Sequence, residues 1–294
     1  MDVVVIFNGL GNQMSQYAFY LQKKSVNKST YLIDFCSSQN HNGMELHRVF
    51  DIDLKVTLFQ RFLMVLFKIL IVEKYKIIVK PLRSLLRFFN CNVIYENFNY
   101  SFNSSYLLPS KGITFYYGGW HSEKYFLSVK DKIVKEFEFL KPIDPENVDY
   151  IHSISKHNSI GIHIRRGDYL DADNFNLFGD VCNKAYFEAA IDLIENKLNN
   201  PHFFVFSNDM SWVKANLFMN KVTYITCNNG KNSWKDMYLM SLCKHNIISN
   251  STFSWWGAWL NKNVDKLVIS PKRYLKKDKF TDFYPESWTK LADY

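Results

Sequence analysis

Two arginines and an aspartate stand where a predicted buried strand ends. The segment SIGIHIRRGDYLD covers residues 159–171, and its first six residues have the composition of a buried β-strand. Arg165 and Arg166 carry planar, permanently charged guanidinium groups, which match the oxygens of a phosphate. Asp168 is interpreted either as a general base or as the carboxylate that orients Arg166. The types and spacing of these residues predict a site for an anionic ligand.

Two further polar segments also follow predicted strands. Ser207, Asn208 and Asp209 come after FFVF, and the segment NSTFSWWGAWL comes after NIIS. Ligands of an open parallel sheet bind beyond the carboxyl ends of its strands, so these segments are expected at one edge. Either segment alone could do no more than cap the next helix. A helix start rich in hydroxyls and backbone N–H groups, with two arginines nearby, indicates a pyrophosphate pocket.

The elements that would position these residues alternate between strand and helix. In the C-terminal half the predicted order is SIGIHI, helix 184–198, FFVFS, helix 211–218, VTYIT, helix 235–243, NIIS, helix 253–260 and KLVIS. This alternation is typical of a parallel sheet with helices on both faces. The N-terminal half opens in the same way, with VVVIF, a glycine turn, a helix near 13–24 and TYLIDF. We therefore predict an α/β protein with two Rossmann-like domains, 1–145 and 146–294, divided near the prolines of LKPIDPENVD.

Composition sets limits on the class of protein. The chain has 294 residues, 47% of them hydrophobic, and Lys plus Arg exceed Asp plus Glu by 36 to 28. This favours a soluble globular protein whose basic excess serves a solvated face, an anionic ligand or an anionic membrane surface. The five cysteines are odd in number and never spaced C-x-x-C, so neither a disulfide framework nor a zinc site is predicted. Such cysteine usage fits a reducing, cytoplasmic compartment.

Two apolar stretches have features of membrane or targeting segments. The start MDVVVIFNGLGNQ carries Asp2, and its apolar run is too short for a signal peptide. The stretch 58–79 is interrupted by five charged residues and falls below spanning length. We predict a buried or interfacial helix there, with peripheral contact to the inner face of the cytoplasmic membrane as the alternative.

The glycine turn NGLGNQ only partly matches a dinucleotide-binding fingerprint. Gly9 and Gly11 are present, but Met14 stands where the third glycine belongs, and the acidic residue at the expected distance is missing. Binding of NAD or FAD is therefore disfavoured.

Several motifs together resemble the bacterial α-1,2-fucosyltransferases. They are GLGNQM at 9–14, WHSEKYF at 120–126, HIRRGDY at 163–169, FSND at 206–209 and STFSWWGAWL at 251–260. They follow the order of the family from residue 6 to about residue 270. The resemblance implies a GT-B fold with two domains facing a cleft, a GDP-β-L-fucose donor, inversion at the fucose anomeric carbon and no metal or other cofactor. The arginine motif is shared with α-1,6- and protein O-fucosyltransferases, and His121 departs from the family's glutamine.

The resemblance also implies roles for individual residues. Arg165 would bond the β-phosphate of the donor in place of a metal, with Arg166 supporting it, and Asp168 is the candidate base. Asp236 would accept the guanine N–H groups, although a helix-start charge is an equal alternative. His163 shares a strand face with Arg165 and is expected either near the nucleotide or in the core. The remaining candidate substrate-binding residues are Asn12, Gln13, Trp120, Asp209, Ser251, Thr252 and Phe253.

The predicted function is transfer of L-fucose from GDP-fucose to the 2-hydroxyl of a galactose-terminated oligosaccharide, lipid-linked or free. Nucleic acid is not a predicted partner. The Asp-x-Asp strings at 51–53 and 171–173 match those of metal-dependent sugar transferases, but both are interpreted as unrelated to the site. The alternatives are a fucosyltransferase of another linkage, a non-catalytic sugar-nucleotide or glycan-binding protein of the same fold, and a nicotinamide-dependent oxidoreductase.

Overall fold

The chain forms two compact α/β units. The computed structural model describes residues 1–36, 41–71, 76–141, 144–277 and 282–292, with the backbone alone for 76–79. Its two units are Met1–Phe139 and Leu140–Tyr294.

The first unit is built on a four-stranded parallel sheet. Its strands are β1 (Asp2–Ile6), β2 (Thr30–Asp34), β3 (Cys91–Tyr95) and β4 (Ile113–Tyr117). Its helices are α1 (Leu10–Val26), α2 (Leu46–Phe50), α3 (Leu58–Ile71), α4 (Lys76–Phe88) and α5 (Lys130–Glu136). The strand order is β2-β1-β4-β3, and every pairing is parallel. The strand β1 is buried along its whole length, as expected for an apolar strand covered on both faces.

A buried ion pair joins α1 to the sheet of the first unit. Lys23 Nζ lies 3.1 Å from Asp2 Oδ2, and both side chains are fully buried. Lys23 also donates to the carbonyl oxygens of Tyr106 and Leu108, at 3.1 and 2.6 Å. These bonds offset the desolvation of the ammonium and fix the segment that leads into β4.

The second unit is built on a six-stranded parallel sheet. Its strands are β5 (Asn158–Ile164), β6 (Pro201–Ser207), β7 (Val222–Ile225), β8 (His245–Ile247), β9 (Val268–Pro271) and β10 (Thr289–Leu291). Its helices are α6 (Pro145–Lys156), α7 (Ala172–Phe178), α8 (Lys184–Lys197), α9 (Met210–Asn216), α10 (Trp234–Leu242) and α11 (Thr252–Trp259). The strand order is β10-β9-β8-β5-β6-β7, and every pairing is parallel.

The strand order of the second unit reverses at β5. From β5 the chain runs outward through β6 and β7, then returns to the other side of β5 and runs outward through β8, β9 and β10. The connections that leave β5 and β8 therefore go to opposite sides and open a crevice beyond the carboxyl ends of these two strands. In open parallel sheets this switch point is where ligands bind.

The α/β class with parallel sheets is confirmed, and the C-terminal elements lie close to their predicted positions. The strand predicted at 159–164 is β5, and the helix predicted at 184–198 is α8. The prediction was incomplete in the first unit, where β3 and β4 were not identified. The stretch 58–79 holds α3 and the start of α4, and residues 72–75 lie outside the described residues. Within the described part of the chain, neither these nor any other helix has the length and apolarity needed to cross a bilayer.

Candidate functional site

The arginine motif follows β5 at the switch point of the second unit. Arg165 Nε lies 2.8 Å from Asp168 Oδ1, and Arg165 Nη2 donates to Asp168 Oδ2 at 2.8 Å. The 3₁₀ turn Gly167–Leu170 brings the carboxylate back onto this guanidinium. The interpretation that Asp168 pairs with Arg166 is therefore wrong, because both of its oxygens contact Arg165. A side-on pair of this kind restricts the guanidinium plane.

Arg166 is held by a different group. Its Nε donates to Asp209 Oδ2 at 3.3 Å, and its guanidinium carbon lies 4.2 Å from the centre of the Trp212 ring. Asp209 also caps α9, since its Oδ1 accepts the Trp212 N–H at 3.1 Å. In this structure the contacts of Asp209 are therefore those of a helix cap and an arginine partner.

Asn208 fixes the backbone of the motif. Its Oδ1 accepts the N–H groups of Arg166 and Gly167 at 2.9 and 3.2 Å. A Cβ at position 167 would lie 2.7 Å from Asn208 Nδ2, so glycine is the residue that fits without displacing Asn208. Sequence reasoning placed Asn208 in a polar segment beyond β6 but not among the site residues. The sequence signal for Asn208 was its position directly after β6. Because β6 pairs in parallel with β5, residues that follow the two strands lie side by side.

The start of α11 lies beyond β8, on the other side of the crevice. Ser251 is the N-cap residue and Thr252 begins the helix; both are buried, and Phe253 is partly exposed. Among the described residues no side chain caps this helix, so its first N–H groups are available to an anion.

His163 lies in the core beneath the motif. Its Nδ1 is 3.1 Å from Ser249 Oγ, and its ring packs near Phe253. Burial, with the adjacent Arg165 charge, lowers the pKa of His163 to about 3, so the imidazole is neutral. Of its two predicted locations, the structure shows the core position directly.

Asp236 lies in the first turn of α10, beyond β7. Its Oδ1 accepts a hydrogen bond from Asn228 Nδ2 at 2.8 Å. Asn228 in turn exchanges two bonds of 2.9 Å with Asn147. Burial raises the pKa of Asp236 to about 7. This is a carboxyl group held by one neutral amide at the same sheet edge as the arginine motif.

A small cavity adjoins the two arginines. Its volume is about 220 Å³, and its lining includes Arg165, Arg166, Tyr169, Trp212 and Asn250. Pockets for whole ligands measure about 300–1,000 Å³. The cavity is therefore large enough for part of a ligand.

Two predicted substrate-binding residues of the first unit are buried in contacts within that unit. The Gln13 amide is buried; it donates to the carbonyl oxygens of Asn8 and Gly43 and accepts the Glu45 N–H. Trp120 is fully buried and stacks on Phe19 at 4.3 Å between ring centroids. Neither side chain can reach a ligand without leaving these contacts.

Asn12 and His121, also singled out from the sequence, are adjacent in the chain to Gln13 and Trp120. Asn12 is partly exposed in the first turn of α1, and its side-chain amide has no hydrogen-bond partner among the described residues. His121 is buried with its Nδ1 3.0 Å from Ser15 Oγ, and burial lowers its pKa to about 3.

Glu96 was missed by sequence reasoning. It follows β3, and its Oε2 accepts the backbone N–H groups of Gly119 and Trp120, both at 2.7 Å. A Cβ at Gly118 would lie 2.4 Å from Glu96 Cβ, so the turn after β4 closes tightly over this side chain. Burial raises the pKa of Glu96 to about 7. A single glutamate after a strand gives no sequence signal of this arrangement.

The two Asp-x-Asp strings lie in different units. Asp53 is exposed and pairs with Lys55 at 3.0 Å, and residues 51–53 help line a cavity of about 990 Å³ in the first unit. Asp171 is the N-cap residue of α7, and Asp173 is exposed. Within the described ranges, no three His, Cys, Asp or Glu side chains come together as a metal site would require.

Comparison with known proteins gives the family. The chain is 32% identical to an alpha-1,2-colitosyltransferase from Escherichia coli, over 99% of each chain. It is 41% identical to the O-antigen biosynthesis glycosyltransferase WbnK from Escherichia coli, over 46% of this chain and 45% of WbnK. The crystal structure of fucosyltransferase NodZ from Bradyrhizobium aligns with a TM-score of 0.48 at 12% identity, over 88% of this chain and 91% of NodZ. Residues 2–292 match the family described as Glycosyl transferase family 11, and the chain belongs to that family.

Proposed function

We propose that this chain transfers L-fucose from GDP-β-L-fucose to the 2-hydroxyl of a β-galactoside, with inversion and without metal or another cofactor. The observation that carries the proposal is the placement of the arginine motif and the α11 start on the two sides of one switch point. In a GT-B arrangement the second unit would hold the donor and the first would hold the acceptor. The family membership and the α-1,2 linkage named for the colitosyltransferase relative support this assignment.

Arg165 is the proposed ligand of the β-phosphate. Asp168 occupies its Nε and Nη2, and the structure gives Nη1 no partner among the described residues. A guanidinium offers five N–H donors, so bonds to Asp168 and to a phosphate oxygen are compatible. The backbone N–H groups at Thr252 and Phe253 would bind the pyrophosphate beside it, after the Ser251 cap.

The proposed reaction breaks the bond between the fucose anomeric carbon and the β-phosphate oxygen. A bond from the acceptor oxygen to that carbon forms on the opposite face, and the acceptor proton passes to a base. Negative charge develops on the β-phosphate, where the fixed guanidinium of Arg165 and the helix start stabilise it. Because Asp168 contacts Arg165 through both oxygens, this geometry favours a positioning role for Asp168 on the leaving-group side.

The nucleotide base is proposed to bind at Asp236. Guanine presents N1–H and N2–H₂ donors, which a carboxylate accepts. Asn228 holds one oxygen of Asp236, and the other, which has no hydrogen-bond partner among the described residues, would accept from the base. Arg166, His163 and Asp209 act through their protein partners, whereas Asn12 remains the proposed contact from the first unit to fucose or phosphate.

A second donor has a specific observation in its favour. The relative that matches 99% of this chain is named for colitose. Colitose is fucose without the 3-hydroxyl, so a GDP-linked colitose donor would present the same nucleotide and the same anomeric chemistry. The proposed nucleotide site would accept both, and discrimination would depend on contacts to the sugar.

The deciding experiment offers GDP-fucose and GDP-colitose separately with a panel of free β-galactosides, followed by linkage analysis of the products. We expect an α-1,2-linked product with GDP-fucose and none with the Arg165→Ala variant. A product from GDP-colitose alone would replace the donor assignment. Tight GDP binding without transfer from either donor would favour a non-catalytic binding protein, and binding of NAD would favour the oxidoreductase.

A further inference from the structure

Helix α3 carries apolar residues on the side that packs against the sheet and also on the side that faces away from it. Leu63, Phe67 and Leu70 are buried, and all three belong to the core formed with the sheet of the first unit. Leu58 and Phe62, one turn apart, are 81% and 52% exposed. The outer face of a surface helix normally carries polar residues, so an apolar outer face indicates that something else covers it.

Helix α4 extends the same kind of surface. Phe88 is 79% exposed, and Leu82 and Leu85 are also exposed. Arg83 Nε donates to the Ile69 carbonyl at 2.8 Å, which ties α4 to α3 as a hairpin. We call these exposed residues of α3 and α4 the hairpin surface.

The charge of the hairpin surface has one sign. Neither helix contains Asp or Glu, and together the helices contain six cations. Four of these are exposed in the described structure: Arg61, Lys68, Lys80 and Arg87. Two copies of such a surface would repel each other, whereas an anionic surface would attract it.

We propose that the hairpin surface docks on an anionic lipid bilayer, with its leucine and phenylalanine side chains in the interface and its cations among the headgroups. Exposed aromatic and leucine residues beside Lys and Arg are the composition of interfacial helices. Each basic residue near an anionic leaflet adds attraction, so four exposed cations give a strong preference for charged lipid. The inference rests on the first unit alone and holds whichever donor the enzyme uses.

The test is co-sedimentation of the full chain with vesicles of phosphatidylcholine, with and without 30% phosphatidylglycerol as a probe of anionic charge. We expect binding to the mixed vesicles at least about tenfold tighter than to the neutral ones, weakened by 0.5 M salt. Phe62→Ser with Phe88→Ser, and separately Lys68→Glu with Arg87→Glu, should each lower this binding at least about tenfold. All four positions are exposed, so these variants should keep transfer to a soluble acceptor.

Phe218→Ser is the matched control, because Phe218 in the second unit is 83% exposed and lies outside the hairpin surface. It should bind vesicles as the unchanged chain does. Equal binding to neutral and mixed vesicles, or no binding to either, would overturn the proposal. A concentration-dependent dimer that the double Phe variant abolishes would assign the surface to a second copy of the chain instead.

Discussion

At the scale of single residues, the pairing of Arg165 with Asp168 bears on the role of Asp168. From the sequence, Asp168 could be a general base or a carboxylate that orients an arginine. An inverting displacement needs its base opposite the leaving phosphate, whereas a carboxylate bonded to the phosphate-binding arginine lies beside that phosphate. The sequence predicted which residues gather after β5. It did not predict which arginine takes the carboxylate, because that depends on the 3₁₀ turn Gly167–Leu170 and on Asn208.

Asp168→Asn tests these roles. If Asp168 positions Arg165, the variant should bind GDP at least about tenfold more weakly, because the guanidinium loses its anchor. If Asp168 is the base, GDP affinity should hold or rise while turnover falls by roughly 10²- to 10⁴-fold. Calorimetric titration of GDP beside a rate measurement distinguishes these outcomes, and Asp173→Asn, an exposed neighbour, is the control for charge alone.

Arg165→Lys tests the need for a planar fork. A lysine ammonium cannot hold the two oxygens of Asp168 and a phosphate oxygen in fixed directions. We expect turnover nearly as low as in Arg165→Ala, with Arg166→Lys less impaired, since Arg166 contacts Asp209 through a single bond of 3.3 Å. Near-normal turnover of the Arg165→Lys enzyme would contradict the assigned role.

The pH dependence of GDP binding tests Asp236. Its pKa is raised to about 7 by burial, so the carboxylate that guanine needs is mostly protonated at pH 6 and mostly ionised at pH 8. GDP affinity should therefore rise about tenfold between these values. Asp236→Asn should weaken binding and remove the rise, whereas Asp192→Asn on the exposed side of α8 should leave it unchanged. An unaltered pH profile in Asp236→Asn would move the guanine site elsewhere.

At the scale of elements, the turn after β4 shows what periodicity cannot predict. Trp120 of the sequence WHSEKYF was predicted to bind substrate, and the structure places it in the core at a φ of 54°. The backbone N–H groups of this turn converge on Glu96, which comes 23 residues earlier than Gly119. A strand pattern, even where one is recognised, carries no information on which carboxylate will bind the turn that follows the strand.

Glu96→Gln tests whether ionisation of the buried Glu96 carboxyl group destabilises the folded chain. Its folded-state pKa is raised above the ordinary value of 4.5 to about 7, so the charged form is disfavoured in the folded state. The free energy of unfolding should therefore fall by on the order of 3 kcal/mol as the pH rises from about 4.5 to 7, and it should stay level above pH 7. Glutamine keeps an acceptor for the two N–H groups and does not titrate, so the variant should lack this fall. Urea unfolding at pH 5 and pH 8 measures this fall in the free energy of unfolding. The control is Glu138→Gln, because Glu138 is exposed, and this variant should behave as the unchanged chain does. The same fall in Glu96→Gln as in the unchanged chain would count against the assignment.

At the scale of the whole molecule, the second unit was the more predictable from sequence. Its strands are short apolar runs separated by regular helices, so alternation alone gives the parallel sheet and the edge where ligands bind. In the first unit the chain covers its sheet with two consecutive helices, α3 and α4, and β3 has exposed positions. β3 therefore lacks the continuous apolar pattern that identifies a buried parallel strand, and it was not predicted. β4 was not predicted either, although its three central residues are buried.

The charge of the whole chain bears on how the donor phosphates are neutralised. The sequence carries a formal charge of +8, and the proposed pyrophosphate site combines Arg165 with the start of α11. These fixed charges and dipoles can stabilise the departing GDP as a divalent metal would. We therefore expect the transfer rate to be unchanged in excess EDTA and not raised by added Mn²⁺. The variants Asp53→Asn and Asp173→Asn, which disrupt both Asp-x-Asp strings, should keep the rate of the unchanged chain. Loss of activity in EDTA that Mn²⁺ restores, together with loss in either variant, would assign the charge stabilisation to a metal held by that string.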